Sequence, residues 1–234
     1  MTEGRSRWPG PQRRIGVSGG IASGKSTVTA LLSRRHGFPV LDADVMARAA
    51  LAPDSPLTPL VLQHFGTRIE DAGGQLDRKA LGRIVFSDVE ARAWLEARIH
   101  PLVRQGFDQA LAHLAHAPTV VLAIPLLFEA GLEALCSEIW LLDLPEVSQL
   151  QRLRQRSAIS GEEARARIAA QWPSSRKRPL ADRILDNSGD REALERQVDK
   201  AVEAISPAAA TAARLARPPG TVHGVACAAH AERE

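Results

Sequence analysis

The sequence has few of the features that define several large classes of protein. It contains no tyrosine and only two cysteines, Cys136 and Cys227. Two cysteines so far apart provide no disulfide framework, which favours a reducing compartment. No stretch approaches the ~18 consecutive apolar residues of a membrane span, and the basic start lacks the apolar core of a signal peptide. We therefore expect a cytoplasmic protein without a membrane partner.

The net charge is also small. It is +3 over 234 residues, which gives no reason to expect a nucleic-acid partner, and we predict none. The basic residues are 26 arginines and only 4 lysines. Arginine matches the geometry of phosphate and carboxylate, so this bias suits anionic ligands, although a GC-rich genome explains it equally well. We expect a monomer or a weak homo-oligomer.

The first part of the chain predicts a β-α-β unit. Residues 1–12 are rich in Pro and Gly and predict a flexible arm. Residues 14–18 predict a buried strand, and 26–35 predict a helix that ends before Gly37. The next stretch, "FPVLDAD", predicts a second strand ending in acidic residues. A strand, a helix and a strand within about 30 residues indicate a parallel sheet.

The rest of the chain adds helices and further strands. Residues 45–117 carry a helical pattern with Pro- and Gly-rich breaks, so they predict a helical lobe between the second and third strands. After that lobe, the pattern predicts strands at 119–125, 138–144 and 182–187, with helices at 146–156 and 190–205. Beyond Ser206 the chain is Ala-rich and low in bulk, so we predict a mostly disordered tail over 207–234.

The stretch "GVSGGIASGKST", residues 16–27, carries the clearest chemical signal. Gly19, Gly24, Lys25 and Ser26 satisfy the P-loop pattern G-x-x-x-x-G-K-[ST], with a predicted strand before it and a helix after it. Small residues let backbone N–H groups surround a phosphate, and the helix adds the positive end of its dipole. Lys25 is then the mobile positive charge for the outer phosphates, and the Ser26 hydroxyl is the expected Mg²⁺ ligand.

A P-loop predicts nucleotide binding but leaves the reaction open. No guanine-reading N-K-x-D occurs in the chain, which argues against a GTPase. The strongest apolar strand, "TVVLAIPLLFE", has no Asp at its end, which argues against an ATP-driven machine. The short chain and its lobe favour a kinase of small molecules.

Two acidic residues end the second predicted strand. In an open α/β sheet, ligands bind beyond the carboxyl ends of the strands, which places Asp42 and Asp44 near the P-loop. A carboxylate there can accept a proton from an attacking hydroxyl or hold Mg²⁺ through water. Alternatively, one of the two caps the following helix. We favour a functional pair, with Asp44 ahead of Asp42.

These stretches together resemble the dephospho-CoA kinase family. The similarity covers roughly residues 13–205 and extends beyond the P-loop. It includes, in order, "VLDAD" with "ARAA" (47–50), "HFG" (64–66), "LDRKALGRIVF" (76–86), "IHPLV" (99–103), "IPLLFE" (124–129), "QLQRLRQR" (149–156) and "ADRILDNSG" (181–189).

The resemblance implies an ATP- and Mg²⁺-dependent kinase that phosphorylates the ribose 3′-hydroxyl of dephospho-CoA. Its implied fold is an α/β P-loop core, a parallel sheet flanked by helices, spanning 13–206 with the helical substrate lobe and a lid over about 157–180. It implies that Asp44 is the catalytic base and that Arg152 and Arg156 are lid arginines. ATP would be bound by Ala22, Ser23, Gly24, Lys25, Ser26 and Thr27, and the CoA portion by Arg48, His100 and Pro101 in addition to Asp44.

Two positions depart from the family pattern. Ala22 stands where the family commonly has glycine, and a methyl group is tolerable there if residue 22 keeps a negative φ. We therefore expect function to be retained. Ser157 follows the lid arginine where the family often has an acid, which loosens the expected lid orientation. The alternatives are another small-molecule or nucleoside kinase and a non-catalytic nucleotide-binding regulator.

Overall fold

Five strands form one parallel sheet in the computed structural model, which describes residues 7–157 and 159–204. Strands β1 to β5 are Arg13–Gly19, Val40–Asp42, Thr119–Ala123, Glu138–Asp143 and Arg183–Asp186. Their order in the sheet is β2-β3-β1-β4-β5, and every pairing is parallel. The predicted parallel sheet is confirmed. Because β1 is central, the loop that follows it lies near the middle of the carboxyl edge.

Nine α-helices connect or flank these strands in the described part of the chain. Helices α1 to α9 are Lys25–His36, Ala43–Ala50, Leu57–Phe65, Arg78–Ser87, Val89–His113, Glu146–Ser157, Gly161–Ala169, Ser174–Lys177 and Arg191–Glu203. Short 3₁₀ helices occupy Gly66–Ile69, Glu133–Leu135 and Arg178–Leu180. Helices α2 to α5 lie between β2 and β3, so the described residues place a helical lobe where the sequence predicts one. None of the described helices is long and apolar enough to cross a membrane.

Both faces of the sheet are covered, which explains why its strands are apolar almost throughout. On one face, Val28 and Leu32 of α1 and Leu194 of α9 pack against Val17 and Val121. On the other face, side chains from α5 pack against alternate strand residues; they are Val103, Phe107 and Leu111. Since successive strand residues point to opposite faces, Val121 and its neighbour Leu122 belong to different cores.

The helical lobe has a core of its own, joined to the sheet by α5. Leu57, Val61 and Phe65 of α3 pack there with Leu81 of α4 and Leu95 of α5. Helix α5 has 25 residues, about 37 Å, so its first half serves the lobe core while its second half covers the sheet. The lobe is therefore held at a fixed position beside the carboxyl edge.

The predicted flexible arm at the start of the chain lies partly within the described residues. Residues 7–12 of the predicted flexible arm pack on the domain: Arg7 pairs with Asp182, and Gln12 is buried and bonds the carbonyls of Leu114 and Ala117. This part of the arm is thus fixed by contacts that its Pro- and Gly-rich composition does not reveal. Residues 1–6 and the predicted tail, 207–234, lie outside the described residues.

Candidate active site

The loop between β1 and α1 is held tightly enough to require glycine. Gly24 caps α1 with φ of 101°, a left-handed conformation that disfavours other residues. A Cβ atom on Gly24 would lie 2.2 Å from Asn187 Nδ2. That amide donates a 2.7 Å hydrogen bond to the carbonyl of Ser23. Asn187, which directly follows β5, therefore clamps the P-loop, that is, it holds the loop in place through its hydrogen bond to Ser23.

Residue 22 does not have the negative φ on which the sequence argument relied. Ala22 has φ of 60° and is the non-glycine residue with positive φ in the described residues. The left-handed conformation is imposed by the turn between Gly20 and Gly24, where the Ser23 N–H donates to the Gly20 carbonyl. For an alanine this conformation costs roughly 1–2 kcal/mol. The expected condition is wrong, and the loop carries local backbone strain.

This strain makes Ala22→Gly a stabilising substitution. Removing the methyl group should raise the free energy of unfolding by about 1 kcal/mol, because glycine accepts a positive φ without cost. Urea unfolding followed by circular dichroism measures the difference. Ala49→Gly, at an exposed position of α2, is the control and should destabilise by about 1 kcal/mol. Equal destabilisation by both substitutions would contradict a strained Ala22.

Lys25, the first residue of α1, folds back over the loop. Its Nζ donates 2.8 Å hydrogen bonds to the carbonyls of Gly19 and Gly20. Burial is the main cause that lowers its pKa to about 8; the charges of Lys177 and Arg156 lower it further, while Asp44 and Glu129 oppose them. The Lys25 ammonium can therefore exchange one of these two hydrogen bonds to a loop carbonyl for a hydrogen bond to a phosphate oxygen.

Asp42 and Asp44 have different environments. Asp42 ends β2 and caps α2, its Oδ1 accepting from the Asp44 N–H at 2.8 Å. Asp44 lies in the first turn of α2, and its side chain makes no cap bond. Desolvation by the surrounding protein raises the pKa of Asp44, the Asp42 charge adds to the rise, and Lys25 and Arg48 oppose it. Asp42 therefore has the capping role, and Asp44 keeps a free carboxylate.

A cavity of about 400 Å³ brings the main predicted residues together. Its wall contains Ala22, Gly24, Lys25 and Ser26 of the P-loop, together with Asp44 of α2 and Arg156 of α6. The phosphate-binding residues of the P-loop and the carboxylate of Asp44 thus line the same cavity. This proximity arises because the carboxyl ends of β1 and β2 meet the same edge of the sheet.

Two further cavities adjoin this one. The second, about 370 Å³, shares Ala22, Gly24, Ser26 and Arg156 and adds Thr27, Arg152, Asn187, Gly189, Arg191 and Leu194. The third, about 270 Å³, lies toward the helical lobe and is lined mostly by apolar side chains, with His100 and Asp44 among its residues. A charged central cavity is therefore flanked by one space beside β5 and another beside the lobe.

The two lid arginines both line the second cavity. Arg152 Nη2 donates a 3.0 Å hydrogen bond to the Asn187 carbonyl, so its guanidinium is held near the clamp on the P-loop. Arg156, one helical turn later, lines both the central and the second cavity. Its spacing from Arg152 puts both on one face of α6.

The other predicted residues lie at varied distances from the cavities. Ser23 is buried beneath the loop. Arg48 Nε donates to the backbone carbonyl of Asp44 at 3.0 Å, and Pro101 is exposed within α5. None of these three residues lines any of the three cavities.

The site also contains residues to which the sequence argument gave no role. Arg92 and Glu96 of α5, Arg167 of α7 and Gln171 line the central cavity, and Asn187 clamps the loop. Asn187 directly follows β5, so the same carboxyl-edge argument that selected Asp44 would have found it. The arginines gave no signal, because 26 arginines in one chain make any single one unremarkable.

The parallel sheet, the P-loop after its central strand and the carboxylate in the same cavity define a P-loop kinase of small molecules. A sequence model of one family, described as dephospho-CoA kinase, matches residues 13–193. The chain belongs to the dephospho-CoA kinase family.

Relatives and solved structures agree with this assignment. A dephospho-CoA kinase of Prochlorococcus marinus (strain MIT 9313) is 52% identical over 198 residues, 83% of this chain and 97% of the relative. One of Parasynechococcus marenigrum (strain WH8102) is 58% identical over 178 residues, 76% and 89% of the two chains. A crystal structure of TT1252 from Thermus thermophilus aligns with a TM-score of 0.70 and 41% identity, covering 82% and 97%. Dephospho-CoA kinase from Campylobacter jejuni aligns at 0.60 and 28%, covering 82% and 96%.

Proposed function

We propose that this protein transfers the γ-phosphoryl group of ATP to the ribose 3′-hydroxyl of dephospho-CoA, giving CoA and ADP. The single observation that carries the proposal is the central cavity, where Lys25 of the P-loop and the carboxylate of Asp44 face the same space. The apolar cavity beside the lobe gives an acceptor its own approach to Asp44.

The P-loop and the lid arginines handle the donor. The N–H groups at the start of α1 and the Lys25 ammonium bind the β- and γ-phosphates. The rest of ATP extends into the second cavity, past Arg152 toward Gly189. Phosphoryl transfer proceeds through a loose transition state with charge on the equatorial oxygens, so Arg156, which lines both cavities, is placed to stabilise that charge.

Asp44 prepares the acceptor. Its carboxylate accepts the proton of the 3′-hydroxyl as the oxygen attacks the γ-phosphorus, and ADP leaves on the opposite side. The raised pKa of Asp44 makes it a better proton acceptor than an ordinary aspartate. The adenosine end of dephospho-CoA carries the reacting hydroxyl, so we place it in the apolar cavity beside His100, with Arg48 and Pro101 further along the acceptor.

Mg²⁺ fits the residues of this site. The Ser26 hydroxyl lies in the central cavity at the first turn of α1, and Asp42 and Asp44 line the same cavity. The described residues contain no cluster of three or more metal-ligating side chains, a pattern consistent with an ion held largely by phosphates and water. Ser26 would hold the ion, and a bound Mg²⁺ would supply positive charge that offsets the charge of the phosphates during transfer.

We place the enzyme in the cytoplasm as a monomer or weak homo-oligomer, with residues 13–206 as the kinase domain. The buried free thiol of Cys136 is consistent with a reducing compartment. We also infer that the lid, about 157–180, closes over the phosphates and excludes water, which would otherwise compete as the acceptor.

A coupled assay tests the function. Purified protein with Mg²⁺ and ATP is offered dephospho-CoA or a panel of nucleosides, and ADP formation is followed. We expect turnover with dephospho-CoA alone, and mass spectrometry should find the acceptor heavier by one phosphate group. Turnover only with a nucleoside would instead indicate a nucleoside kinase, and nucleotide binding without any turnover would indicate a regulator.

A further inference from the structure

Lys177 and Glu129 form a buried ion pair that has no role in the mechanism proposed above. Lys177, at the end of α8, is fully buried, and its Nζ lies 2.7 Å from Glu129 Oε1. Glu129 lies in the segment between β3 and the 3₁₀ helix Glu133–Leu135, and its side chain is largely buried. In the described part of the chain, neither Nζ nor Glu129 Oε2 has a hydrogen-bond partner besides this pair. A buried lysine with one carboxylate oxygen as its partner is costly to maintain, and the mechanism above does not explain it.

The contacts around this pair connect the lid segment to the P-loop. Glu129 Oε1 also accepts a 2.9 Å hydrogen bond from the Trp172 N–H. The preceding residue, Gln171, accepts through its Oε1 a 2.8 Å hydrogen bond from the Ile21 N–H in the P-loop. Within seven residues, the base of the lid therefore contacts both the loop after β3 and the P-loop itself.

The charge of Lys177 also reaches the phosphate site. Lys177 and Arg156 lower the pKa of Lys25, after burial, so these cations lie close enough to interact with it. Since Lys177 is buried, water screens its field less than that of an exposed lysine. An anion bound at the P-loop would experience the field of Lys177, reduced by the weaker opposing charge of Glu129, together with that of Lys25.

We propose that Lys177, held by Glu129, is a positioning residue for phosphoryl transfer: it fixes the base of the lid against the P-loop and adds its positive charge near the phosphate site. The proposal deepens the proposed function, on which it rests for the identity of the reaction. Lys177 and Glu129 line none of the three cavities described above, and neither contacts the substrate in the proposed mechanism.

The test compares three variants with wild type. Lys177→Met removes the lysine charge and leaves the buried Glu129 carboxylate without its cationic partner, with the Trp172 N–H as its remaining hydrogen-bond donor. Glu129→Gln keeps the lysine charge but loses the ion pair. The double variant, Glu129→Gln with Lys177→Met, removes both charges while nearly keeping the shapes, so it should fold even if Lys177→Met alone does not. Lys200→Met, an exposed lysine of α9, is the control.

Thermal unfolding, Mg-ADP affinity by calorimetry and the kinetic constants are measured for each. In the double variant we expect near wild-type stability, but Mg-ADP affinity about tenfold weaker and KM for ATP raised to match, because the ion pair no longer holds the base of the lid and because Lys177 acts on Lys25 more strongly than the opposing Glu129 charge that is lost with it. KM for dephospho-CoA should stay unchanged. Bound Mg-ADP should protect the lid arginines from trypsin less well than in wild type.

The opposite pattern overturns the proposal. If the double variant regains wild-type stability together with wild-type Mg-ADP affinity and lid protection, Lys177 has only a structural role. Calorimetry with Mg-ADP needs no acceptor, so this result is independent of whether dephospho-CoA is phosphorylated. Failure of the wild-type coupled assay would remove the proposed function and leave the binding comparison intact.

Discussion

Asp44→Asn is expected to lower kcat by about 10²–10⁴-fold, the usual contribution of a general base. Asparagine keeps the shape of the side chain but cannot accept the proton of the acceptor hydroxyl. The fold should survive, because the Asp44 side chain makes no cap bond and the Arg48 hydrogen bond to this residue goes to its backbone carbonyl. Nucleotide affinity should be unchanged or slightly tighter, since one negative charge beside the triphosphate is lost. Steady-state kinetics and calorimetry with Mg-ADP measure the two effects separately.

Asp42→Asn is the matched control. It makes the same chemical change two residues away in the same cavity, and asparagine caps helices as well as aspartate does. We expect it to retain most of the rate. A loss of kcat in Asp42→Asn as large as that in Asp44→Asn would remove the distinction between cap and base.

The pH profile supplies a second check on Asp44. A general base acts in its deprotonated form, and the pKa of Asp44 is raised. The acid limb of kcat/KM should therefore lie at higher pH than that of an ordinary aspartate, whose pKa is about 3.9. Because Asp42 contributes to the rise, Asp42→Asn should move this limb to lower pH. An acid limb that does not respond to Asp42→Asn would assign it to another group.

The sequence predicts the positions of the strands because their patterns are strong. The runs "TVVLAIP" and "EIWLLDL" are apolar on both faces, as a strand covered on both sides must be, and both form the predicted strands. The P-loop was predictable for a different reason: only its glycines, lysine and hydroxyl fulfil its contacts with a phosphate. From these two facts the position of Asp44 at the carboxyl edge follows.

Other features depend on contacts between distant parts of the chain, which local pattern does not encode. The φ of Ala22 is set by the whole loop, so a rule about alanine alone gave the wrong sign. Asn187 contacts Ser23 across 164 residues, and Lys177 of α8 pairs with Glu129 from the segment that follows β3. In the sequence, Lys177 is one basic residue in "RKR", and nothing there distinguishes a buried lysine from an exposed one.

The second large effect is expected for Lys25→Met, which should lower kcat/KM for ATP by about 10²–10³-fold, the typical loss when one group that stabilises transition-state charge is removed. Methionine keeps the length of the side chain but neither binds phosphate nor donates to the carbonyls of Gly19 and Gly20. Unlike Asp44→Asn, this change should weaken Mg-ADP binding as well as the rate, because Lys25 contacts the nucleotide in the ground state too. Lys200→Met is the control for loss of an exposed lysine and should match wild type.

The pKa of Lys25 also predicts how the rate depends on pH. In the nucleotide-free enzyme that pKa is about 8, so kcat/KM for ATP, which reports on the free enzyme, should fall as pH rises through about 8. A bound triphosphate favours the ammonium, so the alkaline limb of kcat should lie at higher pH than that of kcat/KM. Lys25→Met has no proton to lose at this position, and its profile should lack the limb near 8. If the limb persists in Lys25→Met, the titrating group is another residue, and Lys25 binds phosphate without controlling the alkaline side of the profile.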